Sequence, residues 1–169
     1  ILLANDLFSL NFTSTLIVSA ITVGLGFLLH ELAHKVVAQK YHYSAEFRSN
    51  NIMLILAILM SFFGFIFAAP GAVMIKAYYI DKRKNGKISL AGPLANIVLA
   101  IIFIVLKILI TPTSIFLQNI LLYGPLINIW LAIFNMIPVW NLDGKKVLNW
   151  SKTVYFSTLV IAIFLLIEN

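Results

Sequence analysis

Two histidines four residues apart, with a glutamate between them, occur in "HELAH" at 30–34. On a helix, residues four apart project from nearly one face. His30 and His34 therefore have the spacing two imidazoles need to grip one Zn²⁺ at about 2.0–2.1 Å each. Glu31 follows the first histidine. It sits beside such a metal rather than on it, where it can take a proton from a water. The surrounding stretch, "LGFLLHELAHKVVAQK" at 25–40, ends a run that is otherwise almost pure hydrocarbon. Five residues with three fixed arise by chance in many soluble proteins, as two histidines facing solvent. In a membrane span that bland reading weakens, because ionisable residues at depth are rare and usually functional.

A hydrolytic zinc needs a third protein ligand and an open position for water. His42 and Glu46 lie beyond the span, and Asp6 belongs to the opposite end of the same helix. Asp81 sits in a basic turn and Glu168 at the terminus. That leaves Asp143, in "NMIPVWNLDGKK" after a long apolar run. Pro138 should break the helix near Asn135–Ile137, since proline cannot donate and clashes with the carbonyl four residues back. Gly144 permits a turn just after the aspartate. Zn²⁺ with ionised Asp143 and Glu31 and two neutral histidines sums to zero charge, and a neutral cluster costs far less to bury than any charged member alone.

The elements that must carry these residues are marked out by hydropathy. Of 169 residues, 62% are hydrophobic and 11% charged, and the mean hydropathy is +1.01. Soluble domains are nearer half apolar and a quarter charged, so this composition is that of an integral membrane protein. There are no cysteines, which excludes disulfides and thiolate zinc sites. The net charge of +6 fits cytoplasmic loops beside anionic lipid better than nucleic-acid binding. Nothing is charged between Asp6 and Glu31, from Ser49 to Ile75, from Ile88 to Leu106, or from Ile108 to Leu142. A bilayer crossing takes about 20 apolar residues. The first and third runs fit one crossing each. In the fourth, "TPT" at 111–113 leaves one crossing of about 115–138. A last run, 153–167, is short for a span. No signal peptide is expected ahead of the first run, and no internal repeat is evident.

The second run is read as re-entrant or lying shallow over 52–69, with a full crossing as the alternative. After it, "AVMIKAYYI" and "KISLA" flank "DKRKNG", and Asn85-Gly86 is a strong hairpin-turn signal, so 72–90 is expected to form a β-hairpin. An exposed strand edge there could hold an unwound substrate extended, as in β-strand addition. Lys82, Arg83, Lys84 and Lys87 in its turn, with Lys35, Lys40, Arg48, Lys145 and Lys146, place this end of the molecule on the cytoplasmic side. The fold class expected is an all-α polytopic membrane protein. It is a bundle of about four to five membrane segments with a small β-hairpin near the site, all in a single domain, 1–169.

Three stretches together carry a resemblance: "HELAH" at 30–34, "SLAGPLAN" at 89–96 and "NMIPVWNLDG" at 135–144. In this order, each at a span edge, they resemble the site-2 protease family of intramembrane zinc metalloproteases, over a core of residues 13–150. The resemblance implies one zinc per chain held by His30, His34 and Asp143, with Glu31 as catalytic base and Asn135 near the site as an oxyanion donor. It implies substrates that are themselves transmembrane segments, cut near the cytoplasmic side of a prokaryotic membrane, with the lipid bilayer and no nucleic acid as surroundings. Many members carry a PDZ domain; this sequence resembles the type without one. Other motif residues have duller readings. Gly92-Pro93 can start a helix, Asn96 can be a packing hydrogen bond or a site residue, Asn141 a turn residue, and Gly124-Pro125 a kink. The competing readings are another HExxH membrane protease, whose third ligand would be a glutamate, a membrane zinc transporter, and a purely structural membrane protein, which would not need the HELAH–Asp143 pairing.

Overall fold

The computed structural model describes residues 10–49, 71–76 and 79–169. The expected re-entrant segment 52–69 lies outside the described residues, as does Asp6. Helices dominate. Among the described residues, three stretches are long and apolar enough to cross a membrane: Thr13–Lys40, Lys82–Leu109 and Ile115–Asn135, of 28, 28 and 21 residues. Their outward faces are hydrocarbon. Val98, Ile101, Ile102 and Val105 are exposed on the second, and Trp130 and Phe134 on the third. Apolar surface this extensive calls for lipid.

The first stretch comprises α1 (Leu10–Ser19) and α2 (Leu25–Lys40), joined through a five-residue π-turn at Ala20–Gly24. It leads into β1 (Ser44–Ser49), which pairs antiparallel with β2 (Gly71–Lys76), Ser44 opposite Lys76 and Ser49 opposite Gly71. Next come α3 (Lys82–Leu109) and α4 (Ile115–Asn135), then short α5 (Asp143–Trp150) and α6 (Lys152–Glu168). At 17 residues α6 is about 26 Å long, a little less than the hydrocarbon core of about 30 Å.

The antiparallel pair exists, but not as a hairpin over 72–90. β2 turns back on β1, and "DKRKNG" runs into a helix that begins at Lys82. The reason is local. The Asp81 carboxylate accepts from Arg83 N at 2.7 Å and Lys84 N at 3.2 Å, an N-cap that satisfies two of the orphan donors of a helix start. Gly86 is then needed for packing rather than for a turn, because a Cβ there would collide with the Trp150 side chain. Gly92-Pro93 likewise does not start a helix; Pro93 lies inside α3.

Three buried clusters hold the elements in place. Ala38, Ala45 and Ile88 seat the sheet against α2 and α3. Ile97, Ala132 and Ala162 join α3, α4 and α6. Met136, Val147 and Tyr155 clamp α5 against the end of α4 and the start of α6. Lys107 Nζ reaches the Asn169 carbonyl oxygen at 3.4 Å, so α3 and α6 finish at the same end of the bundle. Every other lysine and arginine lies on the elements at the opposite end: the close of α2, the sheet, the start of α3, α5 and the start of α6.

Candidate metal centre

Two local devices deliver the side chains of the centre. His30 and His34 lie one turn apart on the buried face of α2. Asp143 opens α5, where the helix N-terminus favours a carboxylate. The chain reaches it by leaving helix α4 at Asn135, three residues before Pro138, and passing Trp140 in the left-handed region at φ 46°. Gly144 lets the loop close, since a Cβ there would run into the Met136 backbone.

The result is a tight convergence. His30 Nε2 and His34 Nε2 are 3.0 Å apart, and Asp143 Oδ2 is 3.3 and 3.0 Å from them. Four ligands placed tetrahedrally about 2.0–2.1 Å from a zinc are roughly 3.3 Å from one another. All three residues are buried, Asp143 to 8% exposure. His34 Nδ1 lies 2.7 Å from the Ile88 carbonyl oxygen, which can only accept, so that nitrogen carries the proton and Nε2 presents a lone pair. His30 Nδ1 lies 2.6 Å from Asn96 Oδ1 and is fixed in the same sense. Three acceptors this close repel one another unless a cation or a proton lies between them. The donor set therefore fits zinc.

Two further features shape the centre. The Gly92 Cα faces the cluster, and a methyl there would press against Nε2 of both histidines. The missing side chain is what leaves room. Glu31 belongs to the same constellation, its carboxylate within 4.8 Å of the histidine ligand atoms. Its Oε2 accepts the Val73 N–H at 2.8 Å, so the outer edge of β2 is aimed at the glutamate.

Of the residues singled out from sequence, His30, Glu31, His34 and Asp143 are brought together. Asn135 is not drawn into their hydrogen bonds; its Nδ2 donates to the Leu131 carbonyl at 2.9 Å. The other third-ligand candidates are elsewhere: His42 is exposed in the turn after α2, Glu46 lies 3.6 Å from Arg48, and Asp81 caps α3. Asn96 touches His30. Sequence reasoning missed Asn128, whose Oδ1 accepts from Asn96 Nδ2 at 3.1 Å. A signal was there. The pattern Gly-Pro-Leu-x-Asn occurs at 92–96 and again at 124–128, once in each of two packed helices, and its two asparagines bond to each other.

Fold and centre together define a helical protein with three helices apolar enough to cross a membrane and a buried His–His–Asp cluster, with a glutamate adjacent, whose donors fit a metal ion. Over 140 residues the chain is 46% identical to a protein named "Putative zinc metalloprotease MJ0611" from Methanocaldococcus jannaschii, covering 82% of this chain and 73% of that one. Over 145 residues it is 27% identical to "Putative zinc metalloprotease YwhC" from Bacillus subtilis, covering 76% of this chain and 66% of that one. No family model and no solved structure matches. The chain belongs to the zinc metalloprotease family of the archaeal protein.

Proposed function

We propose that this protein is an intramembrane zinc metalloprotease of the site-2 type, which hydrolyses peptide bonds in or near transmembrane segments of other membrane proteins. The observation that carries this reading is the depth of the centre. His30 lies five residues inward of Lys35, and Gly92 five residues inward of Lys87, about 8 Å of helix in each case. Any peptide bond brought to Asp143 and the two histidines must reach below the basic rim, which a membrane-embedded segment can do. With its basic residues concentrated around that rim, the site end belongs on the cytoplasmic side of a prokaryotic cell membrane.

His30, His34 and Asp143 would hold the zinc. Bound there, it would supply Lewis-acid chemistry, polarisation of the scissile carbonyl and activation of a water near neutral pH. Glu31 takes the proton of the attacking water on its carboxylate and returns it to the leaving amine. The Val73 N–H orients Glu31 through Oε2 and leaves Oε1 for that proton. A substrate helix hides its carbonyls in hydrogen bonds, so it must unwind before attack. In this reading the outer edge of β2, which already gives the Val73 N–H to Glu31, receives the unwound segment as an added strand. Asn135 keeps a second N–H to offer an oxyanion while the first holds Leu131. Transport is the weaker reading: the buried polar residues Asn96, Asn128 and Thr22 are uncharged and spend their hydrogen bonds on His30, on one another and on backbone.

The test is cleavage of a model transmembrane substrate by the purified protein. Glu31→Gln is expected to keep its zinc and lose at least about 100-fold in turnover, the usual worth of a positioned base. Cleavage by that variant at the wild-type rate would refute the assignment.

A further inference from the structure

Polar groups buried beside the centre form one chain whose direction is forced from its far end. The Gly124 carbonyl can only accept, and Asn128 Nδ2 donates to it at 2.8 Å. A second acceptor, the Thr22 carbonyl in the π-turn, lies 3.5 Å from the same nitrogen. Asn128 must therefore turn its Oδ1 toward Asn96, and Asn96 must answer with Nδ2, at 3.1 Å. Only Oδ1 of Asn96 then remains for His30, and it lies 2.6 Å from Nδ1. His30 is obliged to carry its proton on Nδ1 and to present a bare Nε2 beside His34 and Asp143. Both asparagines are fully buried, so no water competes for these bonds. Gly26 makes the arrangement possible, because a Cβ there would collide with Asn128 Oδ1.

We infer that Asn128, which touches neither the metal ligands nor the reacting groups, is a positioning residue that sets the tautomer of His30 through Asn96 and so tunes metal affinity. Asn96 alone cannot do this. An amide is nearly symmetric in shape, and a flipped Asn96 would offer N–H to His30 and favour the Nε2–H tautomer, which cannot ligate. Asn128 forbids the flip.

This inference rests on His30 being a ligand, and the experiment separates the two claims. Zinc affinity is measured by chelator competition on metal-depleted protein for wild type, His30→Ala, Asn128→Leu and the double variant Asn96→Asp/Asn128→Leu. Asn128→Leu should weaken zinc about 10- to 100-fold, the usual effect of losing an outer-shell partner. The double variant should recover to within about threefold of wild type, because a carboxylate presents an acceptor to His30 in either orientation. Affinity for Asn128→Leu within about threefold of wild type, or a double variant as weak as Asn128→Leu alone, overturns the inference. His30→Ala binding zinc as tightly as wild type overturns the ligand assignment itself. A second readout covers variants that fold poorly: ¹⁵N spectra of the histidines in metal-free protein. His30 should be Nδ1-protonated in wild type and a tautomer mixture in Asn128→Ala. An unchanged tautomer there would also overturn the inference.

Discussion

At Gly92, what matters is the side chain that is absent. The α-carbon of this residue faces the point where His30, His34 and Asp143 converge, and a single methyl would press against Nε2 of both histidines. Gly92→Ala is therefore expected to cost most of the bound zinc while leaving helix content unchanged, since alanine is the better helix former. Zinc analysis and circular dichroism on the same sample check this; full zinc occupancy would mean the metal sits elsewhere. Much of this scale was legible in the sequence. The i, i+4 spacing of the histidines and the scarcity of carboxylates led to the four residues that the structure brings together. Hydrogen-bond polarity was not legible. Nothing in the sequence tells whether Asn135 spends its amide on a substrate or on the Leu131 carbonyl, or that Asn96 and Asn128 meet, although the recurrence of Gly-Pro-Leu-x-Asn was there to be noticed.

Among the elements, β2 connects the sheet to the chemistry. Val73 gives its N–H to Glu31, and in an antiparallel strand Gly71 and Ile75 share that edge. Val73→Pro removes the donor, and cleavage should fall about tenfold or more with zinc retained, because a charge-assisted hydrogen bond is worth about 1.5–3 kcal/mol. Turnover equal to wild type would show that the edge does not act on Glu31. The helices apolar enough to cross a membrane could be read from hydropathy because lipid tolerates little else over about 20 residues. Asn85-Gly86 misled for the opposite reason. A turn signal is a local preference, and here the Asp81 cap and the fit of Gly86 against Trp150 carried the segment into α3.

On the scale of the whole molecule, charge is polarised along the bundle axis, with Lys107 at one end and the remaining basic residues around the metal centre at the other. Absence of cysteine makes the orientation directly measurable with single introduced thiols. Arg83→Cys should be shielded from a membrane-impermeant reagent in intact cells, and Thr113→Cys, in the loop between α3 and α4, should react. The reverse pattern would invert the proposed topology. The centre itself joins residues from α2 and from α5, more than a hundred positions later, and this convergence underlies everything said of function. It is tested most directly by the zinc content of purified wild-type protein and of Asp143→Ala after identical dialysis. One zinc per chain in the wild type and little or none in the variant is the expected result. A variant that retained zinc as fully as the wild type would contradict the account.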